Sequence, residues 1–259
     1  MDTRYLYIMG ANSGVGKSTV CLGILAQLLA YGYLPQQLAY IKPTTQCVEK
    51  QAVAGFCANN NIPFIGIGSL LFRKGFTQDF IDGLTPSSTE LLATVLQSIL
   101  TIGMNKAVVL IDGIGSPSVG SVVGVSNIDI AALLPCRIIF VGKSGIGAAI
   151  DDTVLNVSFI QSKHKQNIGL IYNNIPLTEV SDTQKYVSKR IVQLLPNITP
   201  LGFIARNEEG LESFLQESSE KIAAWFDGYV NKSHLLTDWF VLNEPQNITT
   251  LPYPFMVVG

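Results

Sequence analysis

The sequence predicts an α/β protein in three layers, a mostly parallel sheet with helices on both faces. Short apolar runs alternate with amphipathic stretches along most of the 259 residues, the pattern of strands wound with crossover helices. Apolar residues make up 47% of the chain and charged residues only 14%, so several segments must be buried on both sides, as parallel strands are. The third observation is a glycine-rich turn at residues 10–19, set between the first apolar run and the first amphipathic one.

The elements follow in chain order. Residues 5–9 read as the first strand. Residues 18–30 carry Val20, Leu22, Ile24, Leu25, Leu28 and Leu29, which predicts a helix largely buried against the sheet and ending near Gly32. Residues 38–41 are a second strand. Ser87, followed by Glu90 ahead of Leu91, Leu92, Val95 and Leu96, is a capping-box start for a second helix. Residues 107–111, 137–141 and 168–172 read as further strands, and 127–134, 147–161, 183–195 and 209–226 as further helices. From His234 onward the character changes. Three prolines and two aromatics fall between Pro245 and Phe255 without a helical period, so residues 234–259 read as a tail packed on the domain or on a neighbouring subunit. The domain itself is expected to span residues 1–233.

Composition excludes several classes. A net charge of −2 offers no general attraction to nucleic acid or to an anionic membrane, so any phosphate binding must be local. The first residues lack the basic, apolar and cleavage regions of a secretory signal, and no stretch approaches the roughly 18 to 20 apolar residues that span a bilayer. A soluble, cytoplasmic protein is expected. Cys21, Cys47, Cys57 and Cys136 form no CxxC pair, and His164 and His234 are the only histidines. Buried or incidental thiols are expected, and neither structural zinc nor a disulfide framework.

The turn carries the chemistry. Gly10-Ala-Asn-Ser-Gly-Val-Gly-Lys-Ser-Thr19 leaves a strand and enters a helix, the setting a phosphate-binding P-loop requires. Gly10, Gly14 and Gly16 let the main chain curl with its amides inward, so Asn12, Ser13, Gly14, Val15, Gly16, Lys17, Ser18 and Thr19 are expected to cradle a nucleoside triphosphate. The helix beginning at Ser18 adds its positive end to the same volume. Lys17 is expected to reach the β and γ phosphates, and the Ser18 hydroxyl to ligate the Mg2+ that bridges them. Gly10 precedes Gly16 by six positions, which makes this loop one residue longer than the usual G-x4-G-K-[ST] spacing.

That longer loop resembles the dethiobiotin synthetase family and its relatives, the cobyrinic acid a,c-diamide synthases, whose loops read G-T-x-[ST]-x-V-G-K-[ST]-T. Tyr40-Ile-Lys-Pro43 is similar to the family's Lys-Pro after the second strand, Val109-Leu-Ile-Asp-Gly-Ile-Gly115 to its [ED]-G-x-G, and Ile168-Gly-Leu-Ile-Tyr-Asn173 to its strand ending in asparagine. Pro200-Leu-Gly-Phe-Ile204 resembles the strand that follows. The resemblance implies a P-loop NTPase that binds ATP and Mg2+ and works as a homodimer. It places Lys42 between a substrate carbamate and the γ-phosphate as a catalytic partner of Lys17, Asp112 with Ser18 on the metal, and Asn173 on the adenine edge. Two departures stand out. Asn12 replaces an acidic residue of the family loop, and the acidic residue expected after Lys42 is missing.

Residue types alone leave second readings open. Lys42 also suits an exposed strand end, and Asp112 a turn or cap. Asn173 and Asn174 could each form the turn before Pro176. Asp151 and Asp152 read as complements to a helix dipole, while Lys143 and Ser144 suit a solvated turn as well as a substrate contact. Three functions compete accordingly. The first is an ATP-dependent ligase that activates a small carboxylate or carbamate by γ-phosphoryl transfer before an amine captures it. The second is an ATP-binding regulatory or assembly module with little or no catalysis. A small-molecule kinase comes last, because Arg73, Arg137, Arg190 and Arg206 are too dispersed to form a lid.

Overall fold

The computed structural model describes residues 3–46, 51–207, 210 and 216–241. Seven strands form one parallel sheet: β1 (Arg4–Gly10), β2 (Leu38–Ile41), β4 (Phe64–Ile65), β6 (Val108–Asp112), β7 (Cys136–Gly142), β8 (Ile168–Ile175) and β9 (Ile198–Ala205). Their order is β4-β2-β6-β1-β7-β8-β9. A separate parallel pair joins β3 (Thr44–Thr45) to β5 (Leu70–Leu71). The helices are α1 (Lys17–Ala30), α2 (Ala52–Asn59), α3 (Phe76–Ile81), α4 (Ser88–Gly103), α5 (Asn127–Ala132), α6 (Gly147–Lys163), α7 (Val180–Leu194) and α8 (Ser219–Asp227).

Three layers follow from the period of two along buried strands. In β1, Leu6 and Ile8 face a core shared with α1, α2 and α8, while Tyr5, Tyr7 and Met9 face a second core shared with α4, α5, α6 and α7. Each fully buried aliphatic side chain stabilises the fold by about 1.5–3 kcal/mol, and both faces of the central strands contribute. The five strands expected from the sequence correspond to β1, β2, β6, β7 and β8, with β6 shifted one residue from the expected 107–111. The Ser87 capping box is present: Glu90 N donates to Ser87 Oγ at 3.4 Å, and Ser87 N donates to Glu90 Oε2 at 2.9 Å.

Three expectations need correction. The helix read over 209–226 begins at Ser219, where Ser218 accepts from Lys221 N and caps it; residues 216–218 are not helical, and 208–209 and 211–215 lie outside the described residues. The short helices α2 and α3, of 8 and 6 residues, were not among the expected elements. The stretch from His234 is not devoid of helical character. His234–Trp239 forms a π-helical turn that buries Leu235, Leu236, Trp239 and Phe240 in the α1-side core, and Trp239 Nε1 donates to Asn167 Oδ1 at 2.6 Å. The remainder of the expected tail, 242–259, lies outside the described residues, as does Cys47. Cys21, Cys57 and Cys136 are buried free thiols, as composition predicts. No helix among the described residues is long and apolar enough to cross a membrane.

Candidate functional site

The loop between β1 and α1 is held by main-chain and amide contacts. Ala11 N donates to Val141 O at 2.9 Å, Gly10 N to Gly115 O at 3.3 Å, and Gly14 N to Asn12 Oδ1 at 3.0 Å. Gly16 takes φ 89, a conformation that disfavours any Cβ, and a Cβ built there would stand 1.9 Å from Asn173 Nδ2. That amide braces the loop from β8 by donating to Val15 O at 3.1 Å. No side chain caps the start of α1, so its first amides face the loop together with the positive end of the helix dipole. An anion is the complement of such a pocket.

Lys17 projects into this concavity and donates to Asn12 O at 3.0 Å. Burial lowers its pKa; Asp112 opposes that shift and Lys42 adds to it. The ammonium is thus a poorly solvated cation, and an arriving anion would relieve it.

The floor of the site comes from β2 and β6. Their parallel register pairs Ile41 with Ile111, so the next residues, Lys42 and Asp112, meet at the carboxyl edge of the sheet where open α/β folds bind ligands. Lys42 Nζ lies 3.5 Å from Asp112 Oδ2, and the Tyr40 hydroxyl donates to the same oxygen at 2.8 Å. Burial, and then Asp112, push the Tyr40 phenol well above its ordinary range, so it stays a donor. Asp112 is 1% exposed, and its Oδ1 has no hydrogen-bond partner among the described residues.

Loop and floor open onto one cavity of about 520 Å³, which also meets Thr45, Gln46, Gln51 and Trp225. Of the residues expected at the site, Ser13, Gly14, Gly16, Lys17, Ser18, Thr19, Lys42, Asp112 and Asn173 line it. Asn12 and Val15 do not: the exposed Asn12 carboxamide accepts from Gly14 N, and Val15 is buried beneath the loop. Asn173 and Asn174 divide the two readings between them. Asn173 is buried against the loop, while Asn174 takes the left-handed turn at φ 62 and accepts from Arg206 Nε at 3.1 Å. Lys143 pairs with Asp152 at 2.7 Å, and neither lines the cavity.

The sequence reading missed two supports. Tyr40 was legible in principle, since two positions on a strand put it on the face of Lys42. Asn127 was not, because its partners are main-chain atoms of a distant loop: its Nδ2 donates to Ile114 O at 2.6 Å and to Ser116 O at 2.7 Å, and its Oδ1 accepts from Ile114 N and from the Tyr7 hydroxyl. It pins the segment that follows Asp112.

Among the described residues no cluster of three His, Cys, Asp or Glu could enclose a metal. The unpartnered Asp112 Oδ1, in a cavity that Ser18 also lines, nonetheless suits magnesium, which binds through one or two protein oxygens and keeps waters and phosphate oxygens for the rest.

Comparison with known proteins agrees with this geometry. The AAA domain family model matches residues 4–208. An ATP-dependent dethiobiotin synthetase from Anaeromyxobacter sp. (strain K) is 24% identical over 175 residues, 66% of this chain and 76% of that one. Among solved structures, a plasmid partition protein from Borrelia burgdorferi B31 bound to AMPPNP superposes with a TM-score of 0.58 at 17% identity, covering 92% of this chain and 99% of that one. A chain of the MinC:MinD cell division protein complex of Aquifex aeolicus does so at 0.54 and 14% identity, covering 97% and 100%. Those two likenesses concern the fold alone. With the loop, the sheet order and the family match in agreement, the chain belongs to the AAA domain family of P-loop NTPases, as a divergent member of the dethiobiotin synthetase-like group.

Proposed function

We propose that the chain binds Mg-ATP and uses it to activate a small carboxylate or carbamate for capture by an amine. One observation carries the reading: Lys17 and Lys42, the latter 3.5 Å from the buried Asp112 carboxylate, line one cavity with it at the start of a helix that no side chain caps. That is the charge arrangement a γ-phosphoryl group needs while it moves. Amides of Gly14, Gly16 and Ser18 would hold the phosphates, and Lys17 would neutralise the β and γ oxygens. Asn173, whose Nδ2 is committed to the loop, would offer Oδ1 to a base amino group. Lys42 would leave Asp112 to hold the acceptor carboxylate against the γ-phosphorus.

The chemistry then needs no side-chain nucleophile. A carboxylate oxygen attacks the γ-phosphorus, the bond to the bridging oxygen breaks, and ADP leaves with its electron pair. The amine nitrogen attacks the acyl carbon of the mixed anhydride, phosphate departs, and the nitrogen loses its proton to solvent. Magnesium held by Asp112 and Ser18 would draw charge from the phosphate oxygens. The protein's part is positioning and electrostatics.

A second reading, an ATP-binding regulatory or assembly module, is supported by a different observation. Asp112 is the only carboxylate among the described residues that line the cavity, so among them no second acidic group is placed to anchor an ammonium substrate. Phosphate release from Mg-ATP, with bicarbonate and a panel of small diamines, separates the two. Release that rises with the amine supports the ligase, whereas tight ATP binding without amine-dependent release removes it. The proposal includes a cytoplasmic homodimer, and light scattering at twice 28.0 kDa is the check on its assembly.

A further inference from the structure

The two oxygens of Asp112 are treated differently. Oδ2 receives the Tyr40 hydroxyl at 2.8 Å and lies 3.5 Å from Lys42 Nζ, while Oδ1 is buried with no partner among the described residues. A carboxylate engaged on one oxygen only is oriented as well as neutralised, and leaving the other buried oxygen unmet is costly unless a ligand completes it.

The two groups on Oδ2 also differ. Lys42 stands at 3.5 Å, well beyond the roughly 2.7–2.9 Å of a tight charge-assisted bond, and its flexible stem can swing. Tyr40 is fully buried in β2, with its ring in the α1-side core beside Leu38, so its hydroxyl cannot follow.

We infer that Tyr40 is a positioning residue: it holds the Asp112 carboxylate with Oδ1 turned to the metal when Lys42 leaves Oδ2 for the acceptor. The inference rests on the nucleotide reading above and adds a residue that acts only through Asp112. Tyr40 touches neither nucleotide nor substrate. Its effect therefore falls on the metal and disappears without the Asp112 carboxylate.

The test uses the full chain and Mn2+ as the probe, read by electron paramagnetic resonance in the presence of AMPPNP, with nucleotide affinity also measured in EDTA. Tyr40→Phe keeps the ring and removes one oxygen. The expected result is a rise of about tenfold or more in Mn2+ half-saturation, the range seen when groups supporting a metal ligand are lost, with metal-free nucleotide affinity changed less than about twofold. In an Asp112→Asn background, Tyr40→Phe should add nothing further. Unchanged Mn2+ half-saturation in a folded Tyr40→Phe chain overturns the inference and leaves the nucleotide reading standing, as does an effect that persists in the Asp112→Asn background. A wild-type chain that binds no Mn2+ with AMPPNP overturns both.

Discussion

The loop and the floor of the site are built in opposite ways. Residues 10–19 are contiguous and act mainly through main-chain amides, with Lys17 the one projecting charge. The floor consists of side chains, Tyr40, Lys42 and Asp112, taken from strands 70 positions apart and joined by the β2–β6 register. A contiguous, backbone-built half is sensitive to conformation and tolerant of many side chains. A half assembled across strands is sensitive to chemistry and tolerant of small backbone shifts. Four experiments can break or sharpen that contrast.

The largest effect is expected from Lys17→Ala, the exception within the loop. Nucleotide affinity should fall at least about 100-fold by calorimetry, since a desolvated charge-assisted contact to phosphate is lost. The melting temperature should hold or rise, because the variant removes a cation that burial disfavours in the free protein. Retained affinity would detach the loop from nucleotide binding. Lys42→Met should lower amine-dependent phosphate release about 100-fold while nucleotide affinity moves less than about threefold, which separates floor from loop by a kcat-against-binding split. If both fall together, the two halves act as one.

Gly16→Ala tests backbone sensitivity. The φ of 89 and the 1.9 Å approach of Asn173 predict a loss of about 2–4 kcal/mol in denaturant unfolding. Ser13→Ala in the same loop should cost under about 0.5 kcal/mol.

The smallest effect lies at the other edge of the sheet. Burial, and then Arg137, hold the His164 imidazole below its ordinary 6.5. The unfolded chain therefore takes up this proton first, so the stability involved is intact above 6.5 and is lost as the pH falls through the depressed value. His164→Leu should shrink the difference in melting temperature between about pH 7.5 and about pH 5.5 by roughly 1–2 °C. A full acid loss in that variant would assign the pH response to carboxylates nearer the site.

The loop was legible because all its information is local. Glycines at three spacings, a lysine and a hydroxyl between a strand and a helix specify a conformation that neighbours only brace. Five strands of the central sheet, β1, β2, β6, β7 and β8, were legible for a similar reason, as continuous apolar runs long enough to separate from their surroundings. Short elements such as α2, α3 and β3, at 8, 6 and 2 residues, leave little room for an apolar pattern to repeat. The turn at His234–Trp239 does carry one, in Leu235, Leu236, Trp239 and Phe240, but it was masked by the proline-rich residues that follow.

By itself, the sequence determined the layered α/β class, the phosphate loop, and the strand ends that carry Lys42, Asp112 and Asn173. Tertiary structure alone decided which oxygen of Asp112 is engaged, that Asn173 rather than Asn174 braces the loop, and that Asn127 pins the segment after β6. The reason is physical. Turn and strand preferences are properties of a few adjacent residues, whereas the register of parallel strands and the contacts it brings are fixed by packing across the whole sheet.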